Sequence, residues 1–215
     1  ANESDAANDL VALVQDYLTN VPIGHRIAFE PYPLSRRLIV WCEALRILYK
    51  SQHPFASTLI SEMSRGARML RDNIEHDLDN NHVIANAKAL AYVGMLLEQS
   101  LARDGFDLLW KQLRMQVRED GVHVENSTSY HFLVWRDAVE TCLLAQQYAI
   151  EIPSDISTLL IGMKKFLDAL RYSDGTYPLL NDSANDKDKS DMVFDSVQNI
   201  FSAEKSFNRN PFSLA

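Results

Sequence analysis

Long runs in which apolar side chains recur three and four positions apart constrain the fold of this chain more than any other feature. Only 7 glycines and 7 prolines interrupt these runs over 215 residues, and such a spacing places the apolar side chains on one face of a helix. With 47% apolar residues, a chain of this length can bury about 70% of its unfolded surface. The pattern predicts an ordered, all-α protein.

About eight helices follow from this periodicity. They are predicted at residues 7–18, 34–50, 54–73, 82–102, 106–117, 127–150, 154–170 and 189–201. Successive helices with short connections pack as antiparallel pairs. We therefore predict a single domain over residues 1–215, built either as a bundle or as a small or incomplete α/α toroid.

The charge balance narrows the function classes. The formal net charge is −8, which argues against a nucleic-acid-binding surface and leaves an anionic ligand dependent on a local basic site.

No apolar run approaches the roughly 20 residues of a membrane span. Cys42 and Cys142 lie in apolar helical runs, which predicts buried free thiols. Zinc-ligand spacing is absent, and no metal or other cofactor is predicted.

Residues 121–131 concentrate ionisable and hydroxyl side chains where a helix is predicted to begin. Proton transfer needs such groups held at a defined place with a tuned pKa. The ionisable candidates in this segment are His123, Glu125, Tyr130 and His131. The alternative is structural: one of residues 126–128 caps the helix while the histidines lie in solvent.

The Asp-Asn-Asn-His sequence of residues 79–82 precedes an apolar helix and carries the same kind of alternative. Asn80 or Asn81 can be an ordinary N-cap. Alternatively, Asn81 and His82 lie at the positive end of the helix dipole, where an amide and an imidazole can neutralise a substrate carboxylate.

Two more segments combine polar and aromatic side chains. In residues 30–41, Arg37 can bind a carboxylate through two parallel hydrogen bonds, and Trp41 can stack on a sugar face. The alternative for this pair is core packing of Trp41 beside a solvated arginine. Residues 173–183, which include Asn181, form a turn by composition, or else a loop packed against a cavity.

Taken together, these segments resemble the heparinase II/III family, specifically its N-terminal α/α toroid, which also includes alginate and oligoalginate lyase relatives. The similarity extends from about residue 29 to residue 183. Its most specific part is the pattern Gly121, His123, Glu125, Ser127, Tyr130 and His131. The pattern is preceded by Asn81-His82 and by Pro31-Tyr32-Pro33 with Ser35 and Arg37, and a weaker match follows at residues 177–183.

The resemblance implies β-elimination at a uronic acid, in which the C5 proton is removed and the bond to O4 breaks. It implies that Asn81 neutralises the carboxylate, and that Tyr130 protonates the departing O4, with or without a second role as the base at C5. His82 would either supply the positive charge that a basic phenolate needs or be the base itself. His131 would orient these groups or relay a proton. The predicted substrate-binding residues are Glu125, His123, Arg37, Trp41 and Asn181.

The same resemblance implies an acidic polysaccharide or oligosaccharide as substrate and a periplasmic or secreted location. It also implies a C-terminal β-sandwich domain beyond this chain, which would then be the N-terminal catalytic part of a longer lyase. Two alternatives stay open. One is a non-catalytic glycan-binding domain, and the other is a toroid glycoside hydrolase, which needs two carboxylates flanking one bond. Glu125 and Asp182 are the pair for that reaction.

Overall fold

A computed structural model describes residues 3–75 and 80–184, and these residues form seven α-helices. The helices are α1 (Glu3–Asn20), α2 (Pro31–Lys50), α3 (Ala56–Asp72), α4 (Asn81–Leu97), α5 (Gln99–Gln116), α6 (Thr128–Gln147) and α7 (Ser154–Leu170). An isolated antiparallel bridge between Val117 and His123 is the one β-type pairing in the described ranges. The fold is all-α, as predicted. The predicted helix at residues 189–201 lies outside the described residues.

The predicted end of a helix at residue 102 is wrong. The helix ends earlier, because Glu98 adopts an extended conformation with φ −156° and ψ 107° between α4 and α5. Gly105, which the prediction placed in a turn, lies inside α5. A Cβ atom on Gly105 would lie 2.3 Å from the backbone nitrogen of Ala91. Glycine is therefore present for the close approach of α4 and α5, not as a helix terminator.

The chain groups into two compact units, Ala1–Leu108 and Leu109–Ala215. In the first unit, α2 packs against α1, α3 and α4. The proline at the start of α2 needs no backbone N–H there, which explains a helix that begins before the predicted residue 34. Fully buried side chains of this core include Leu38, Leu59, Met63, Ala67, Leu70, Leu90 and Leu101. The prediction of one domain over the whole chain stays a prediction.

In the second unit, α6 packs against α7. Trp135 is fully buried on α6, and its indole nitrogen donates to the Leu160 carbonyl oxygen at 3.1 Å. Gly121 has φ +80° and leaves so little room that a Cβ atom would lie 2.7 Å from the carbonyl group of Gly162. The loop before α6 therefore packs closely against α7 at Gly121, where only glycine fits.

Both cysteines are buried free thiols, as predicted. Burial raises the pKa of Cys42 and of Cys142 to about 12, so neither thiol ionises near neutral pH. Among the described helices, none has the length and apolar character that crossing a bilayer requires.

Candidate active site

The first turn of α6 fixes the position of Tyr130. Ser127 is the N-cap, and its hydroxyl accepts a hydrogen bond from the Tyr130 backbone N–H at 3.3 Å. The predicted capping role is therefore correct for Ser127. It also serves the candidate site, because the cap holds the backbone of Tyr130 while the phenol side chain is left half-buried.

The segment around residue 180 is bound to this helix start. Thr128 donates to the Pro178 carbonyl oxygen at 2.8 Å. The Ser183 hydroxyl accepts from the Ser129 backbone N–H at 3.2 Å and lies 3.1 Å from the Ser127 hydroxyl. Segments 50 or more residues apart in sequence thus meet at the turn that carries Tyr130.

Asn181 lies in the same segment and contacts backbone atoms. Its side-chain nitrogen donates to the Asn126 carbonyl oxygen at 3.0 Å and to that of Glu125 at 3.4 Å. Asn126 and Asn181 both have left-handed backbones, with φ 52° and 49°, a conformation that asparagine tolerates better than most residues. Asn181 therefore fastens its own segment to the loop that precedes α6.

His131 is a buried structural neighbour of Tyr130. Its Nδ1 atom accepts from the His123 backbone N–H at 3.2 Å, which places the proton on Nε2, and Nε2 donates to the Met163 carbonyl oxygen at 3.1 Å. Burial, only partly opposed by the Met163 carbonyl, lowers the pKa of His131 to about 4. The side chain is neutral at pH 7 and connects α6 to α7.

His123 is also fully buried and belongs to the same network. Its Nε2 atom donates to the Gln116 side-chain oxygen at 2.8 Å, while Nδ1 accepts from the Glu125 backbone N–H at 3.4 Å. Burial lowers the pKa of His123, and the nearby Glu125 carboxylate opposes that shift. The capping alternative placed these histidines in solvent. That part of it is wrong, because His123 and His131 are 0% and 1% exposed.

The start of α4 in the first unit holds the other predicted catalytic pair. Asn80 is the N-cap, and its side-chain oxygen accepts from the His82 backbone N–H at 3.0 Å. Asn81 is the first residue of the helix and is 6% exposed. Because Asn80 does the capping, the Asn81 amide lies at the positive end of the helix dipole without being the cap.

The His82 ring is held from one side by Tyr32. The two rings stack with centroids 4.2 Å apart and planes inclined by 18°. Tyr32 lies in the first turn of α2, where its carbonyl oxygen accepts from the Ser35 hydroxyl at 2.8 Å. The starts of α2 and α4 therefore meet at His82.

Asn86 is a site residue that the sequence analysis missed. Its amide is fully buried on α4. The orientation that satisfies it directs the side-chain nitrogen at the carbonyl oxygens of Pro31 and His82, at 3.1 and 3.2 Å, and at the Ser35 hydroxyl. The available signal was a polar amide inside a run of small apolar residues, since a buried amide is kept only where it has partners.

Arg37 and Trp41 lie together beside a pocket of about 370 Å³ in the first unit. The Arg37 guanidinium donates to the Ala28 carbonyl oxygen at 2.7 Å and lies over the rings of Tyr17, Phe29 and Trp41 at 4.8 to 5.5 Å. Trp41 is buried, as the packing alternative predicts, and Arg37 is half-buried rather than fully solvated. The pocket lining also includes Glu62, Arg65 and the chain that follows α1.

The predicted site residues therefore form three groups. Glu125, His123, Tyr130, His131 and Asn181 lie around the start of α6, within the second unit. In the first unit, Asn81 and His82 lie at the start of α4, and Arg37 and Trp41 lie beside the pocket.

Three comparisons with known proteins bear on these groups. The family model described as Heparinase II/III N-terminus matches residues 2–208. A heparin-sulfate lyase of Bacteroides thetaiotaomicron is 28% identical over 141 residues, which are 59% of this chain and 20% of the relative. The solved structure of heparinase III has a TM-score of 0.73 at 22% identity, over 81% of this chain and 30% of that chain.

A second heparinase III structure, of a gene product with methylated lysines, has a TM-score of 0.69 at 17% identity and covers 91% of this chain and 35% of that chain. This chain therefore spans a fifth of the curated relative and about a third of each solved chain. The predicted fold class, an α/α toroid built of helix pairs, is confirmed.

The fold and these likenesses define an all-α domain of the kind present in the solved heparinase III structures. The chain belongs to the heparinase II/III family, whose N-terminal model covers nearly all of it.

Proposed function

We propose that this chain is the helical part of a polysaccharide lyase that cleaves an acidic, uronate-containing glycan by β-elimination. The observation that carries the proposal is the position of Tyr130. It lies half-buried in the first turn of α6, three residues after the Ser127 cap and directly before the buried His131. A tyrosine whose backbone is held in this way suits proton transfer, which requires a defined geometry.

In the proposed reaction, a base removes the C5 proton of the uronate. The electron pair of that C–H bond becomes the C4–C5 double bond, the C4–O4 bond breaks, and O4 leaves with a proton from an acid. Tyr130 is the proposed acid at O4 and is also a candidate base at C5. His82 is the alternative base.

Asn81 is the proposed group that neutralises the uronate carboxylate. Removal of the C5 proton places negative charge on that carboxylate, and donors fixed in advance at such a position lower the barrier. The helix dipole at the start of α4 adds partial positive charge at the same place. An asparagine there stabilises the charge without contributing a proton of its own.

The remaining predicted residues receive supporting roles in this proposal. His131 and His123, both buried and neutral, position Tyr130 and the loop before it. Glu125 and Asn181 shape the glycan-binding surface next to Tyr130. Arg37 and Trp41 would line a contact for another acidic sugar of the glycan. We further propose a periplasmic or secreted location and a C-terminal β-sandwich domain in the full-length protein.

The test is ultraviolet absorbance of the unsaturated product over a panel of uronans. It compares the wild type, Tyr130→Phe and the matched control Tyr172→Phe, which alters a tyrosine that is 55% exposed. Each variant is made in this chain and in a form extended through its native C-terminal region. We expect product from the extended wild type and the control, and at least a 100-fold loss with Tyr130→Phe.

A non-catalytic glycan-binding domain is the second candidate, because the Arg37 and Trp41 pocket could bind a sugar without any chemistry. The same panel separates the two functions. Saturable binding of a uronan without product from any form would replace the lyase proposal by the binding one. Full activity of Tyr130→Phe would refute the assignment of Tyr130 alone.

A further inference from the structure

We propose that Glu75 is a positioning residue for His82, and that the pair leaves the His82 Nε2 atom as the base of the site. Glu75 lies just beyond the end of α3, outside every motif that the sequence analysis singled out. The proposal rests on the proposed lyase function only for its catalytic consequence. The pairing itself is a structural statement with a test of its own.

The geometry brings two buried polar atoms face to face. Oε2 of Glu75 lies 3.5 Å from Nδ1 of His82. Both atoms are buried, and neither forms a hydrogen bond with any residue among 3–75 and 80–184. The two atoms can therefore act as the hydrogen-bond donor and acceptor that each of them lacks.

A hydrogen bond between the Glu75 carboxylate and the His82 ring would stabilise the folded protein. A buried donor or acceptor without a partner destabilises the folded protein, so leaving both groups without a hydrogen bond is unfavourable. A small rotation of either side chain shortens 3.5 Å to a hydrogen bond, because the His82 and Glu75 side chains are still 35% and 21% exposed. Only the Nδ1–H form of a neutral His82 can donate to the carboxylate.

Two further contacts limit how the ring can turn. Tyr32 stacks on one face of the imidazole at 4.2 Å, and the Asn80 side chain holds the His82 backbone N–H. With the backbone, one face and Nδ1 each engaged, the ring presents Nε2 on its remaining edge. A carboxylate behind a histidine fixes the tautomer and strengthens the base in the same way in other proton-transfer sites.

This pairing favours one of the two roles that remained open for His82. If Nδ1 carries the proton, Nε2 has a lone pair and accepts a proton, which is the action of a base. A role as a fixed positive charge would need both nitrogens protonated. Tyr130 is then left as the acid at O4.

The first test reads the tautomer directly and needs no enzymatic activity. Long-range proton–nitrogen correlation spectra of this chain, labelled with nitrogen-15 and recorded at alkaline pH, report which imidazole nitrogen carries the proton. We expect His82 to be Nδ1–H in the wild type and to change to Nε2–H in Glu75→Ala. His123 and His131, both Nε2–H by their hydrogen bonds, serve as internal references for an intact fold.

Glu43→Ala is the matched control, because it removes a carboxylate that pairs with Arg46 on the exposed face of α2. It should leave the His82 tautomer unchanged. An Nε2–H tautomer of His82 in the wild type, or the same tautomer in wild type and Glu75→Ala, would overturn the pairing. A lack of lyase activity has no bearing on either result.

The catalytic consequence is tested on the extended protein. Glu75→Ala should lower kcat about 100-fold or more with little change in KM, and Glu75→Gln, which can still accept from Nδ1, should restore part of kcat. The loss in the double variant Glu75→Ala, His82→Ala should be no larger than that in His82→Ala. Multiplicative losses would show that Glu75 acts independently of His82 and would refute the positioning role.

Discussion

Replacing Gly105 by alanine should destabilise the chain, while the same replacement at Gly162 should stabilise it. Both glycines lie inside helices, so both substitutions gain about 1 kcal/mol of intrinsic helix propensity. They differ in what the added methyl group meets. At Gly105 it would lie 2.3 Å from the Ala91 nitrogen and 2.7 Å from the Ala87 oxygen, and these backbone atoms cannot rotate away.

The two helices α4 and α5 must therefore separate to admit the methyl group at residue 105. Overpacking of a well-packed core costs about 1–3 kcal/mol, and a backbone obstacle places the cost at or above the upper end of that range. The net result for Gly105→Ala is a loss of about 2 kcal/mol. At Gly162 the methyl group would meet only the Gly121 Cα atom at 3.5 Å, an ordinary contact, and the propensity gain remains.

Urea unfolding followed by far-ultraviolet circular dichroism measures both effects on this chain. We expect the two variants to differ by about 3 kcal/mol in free energy of unfolding, with Gly162→Ala above the wild type and Gly105→Ala below it. A Gly105→Ala variant as stable as Gly162→Ala, with an unchanged slope, would refute the close approach of α4 and α5.

Three further predictions concern the sites. Burial holds the pKa of His131 at about 4, against 6.5 when unburied, so the unfolded chain binds a proton in this window that the folded chain does not. The free energy of unfolding should fall by about 3 kcal/mol as pH drops through this window. Over the same pH range, the urea midpoint of His131→Gln should fall less than that of the wild type. An equal dependence of the two midpoints on pH would contradict the assignment. Asn80→Ala removes the α4 cap and should cost about 1 kcal/mol of unfolding free energy, while Asn80→Ser should cost almost none; equal losses would argue against the cap. Asn81→Asp keeps the size of the side chain but places a negative charge next to the substrate carboxylate, so it should abolish turnover by the extended protein, whereas Asn81→Ser should keep part of it; equal activity of Asn81→Asp and wild type would exclude the proposed role.

Helix periodicity predicted the existence of the helices because it reports which face is buried. The bounds of α7 agree with the predicted residues 154–170. The break between α4 and α5 was predicted too late in the chain, at residues 103–105, because glycine has two uses, ending a helix and admitting a close neighbour. Only the close approach of Gly105 to Ala91, which belongs to tertiary structure, shows which of the two uses applies here.

The candidate site was predicted in part for a similar reason. Sequence alone gave a cap at residues 126–128 as one of two alternatives and favoured a cap at residue 80 or 81, since these side chains cap helices in general. It did not reveal the burial of His123 and His131, because that burial depends on partners such as Gln116 and the Met163 carbonyl oxygen. Glu75 could not be found from sequence either, since its relation to His82 arises only where α3 ends near the start of α4.

In the proposed reaction, the extended protein breaks a glycosidic bond by elimination and not by hydrolysis. The most direct measurement is a digestion of a uronan in oxygen-isotope-labelled water, with mass spectrometry of the fragments. The proposed lyase gives fragments that end in an unsaturated uronate and carry no label from water. Fragments that are heavier by one labelled water and lack the unsaturated end would contradict elimination and support a glycoside hydrolase.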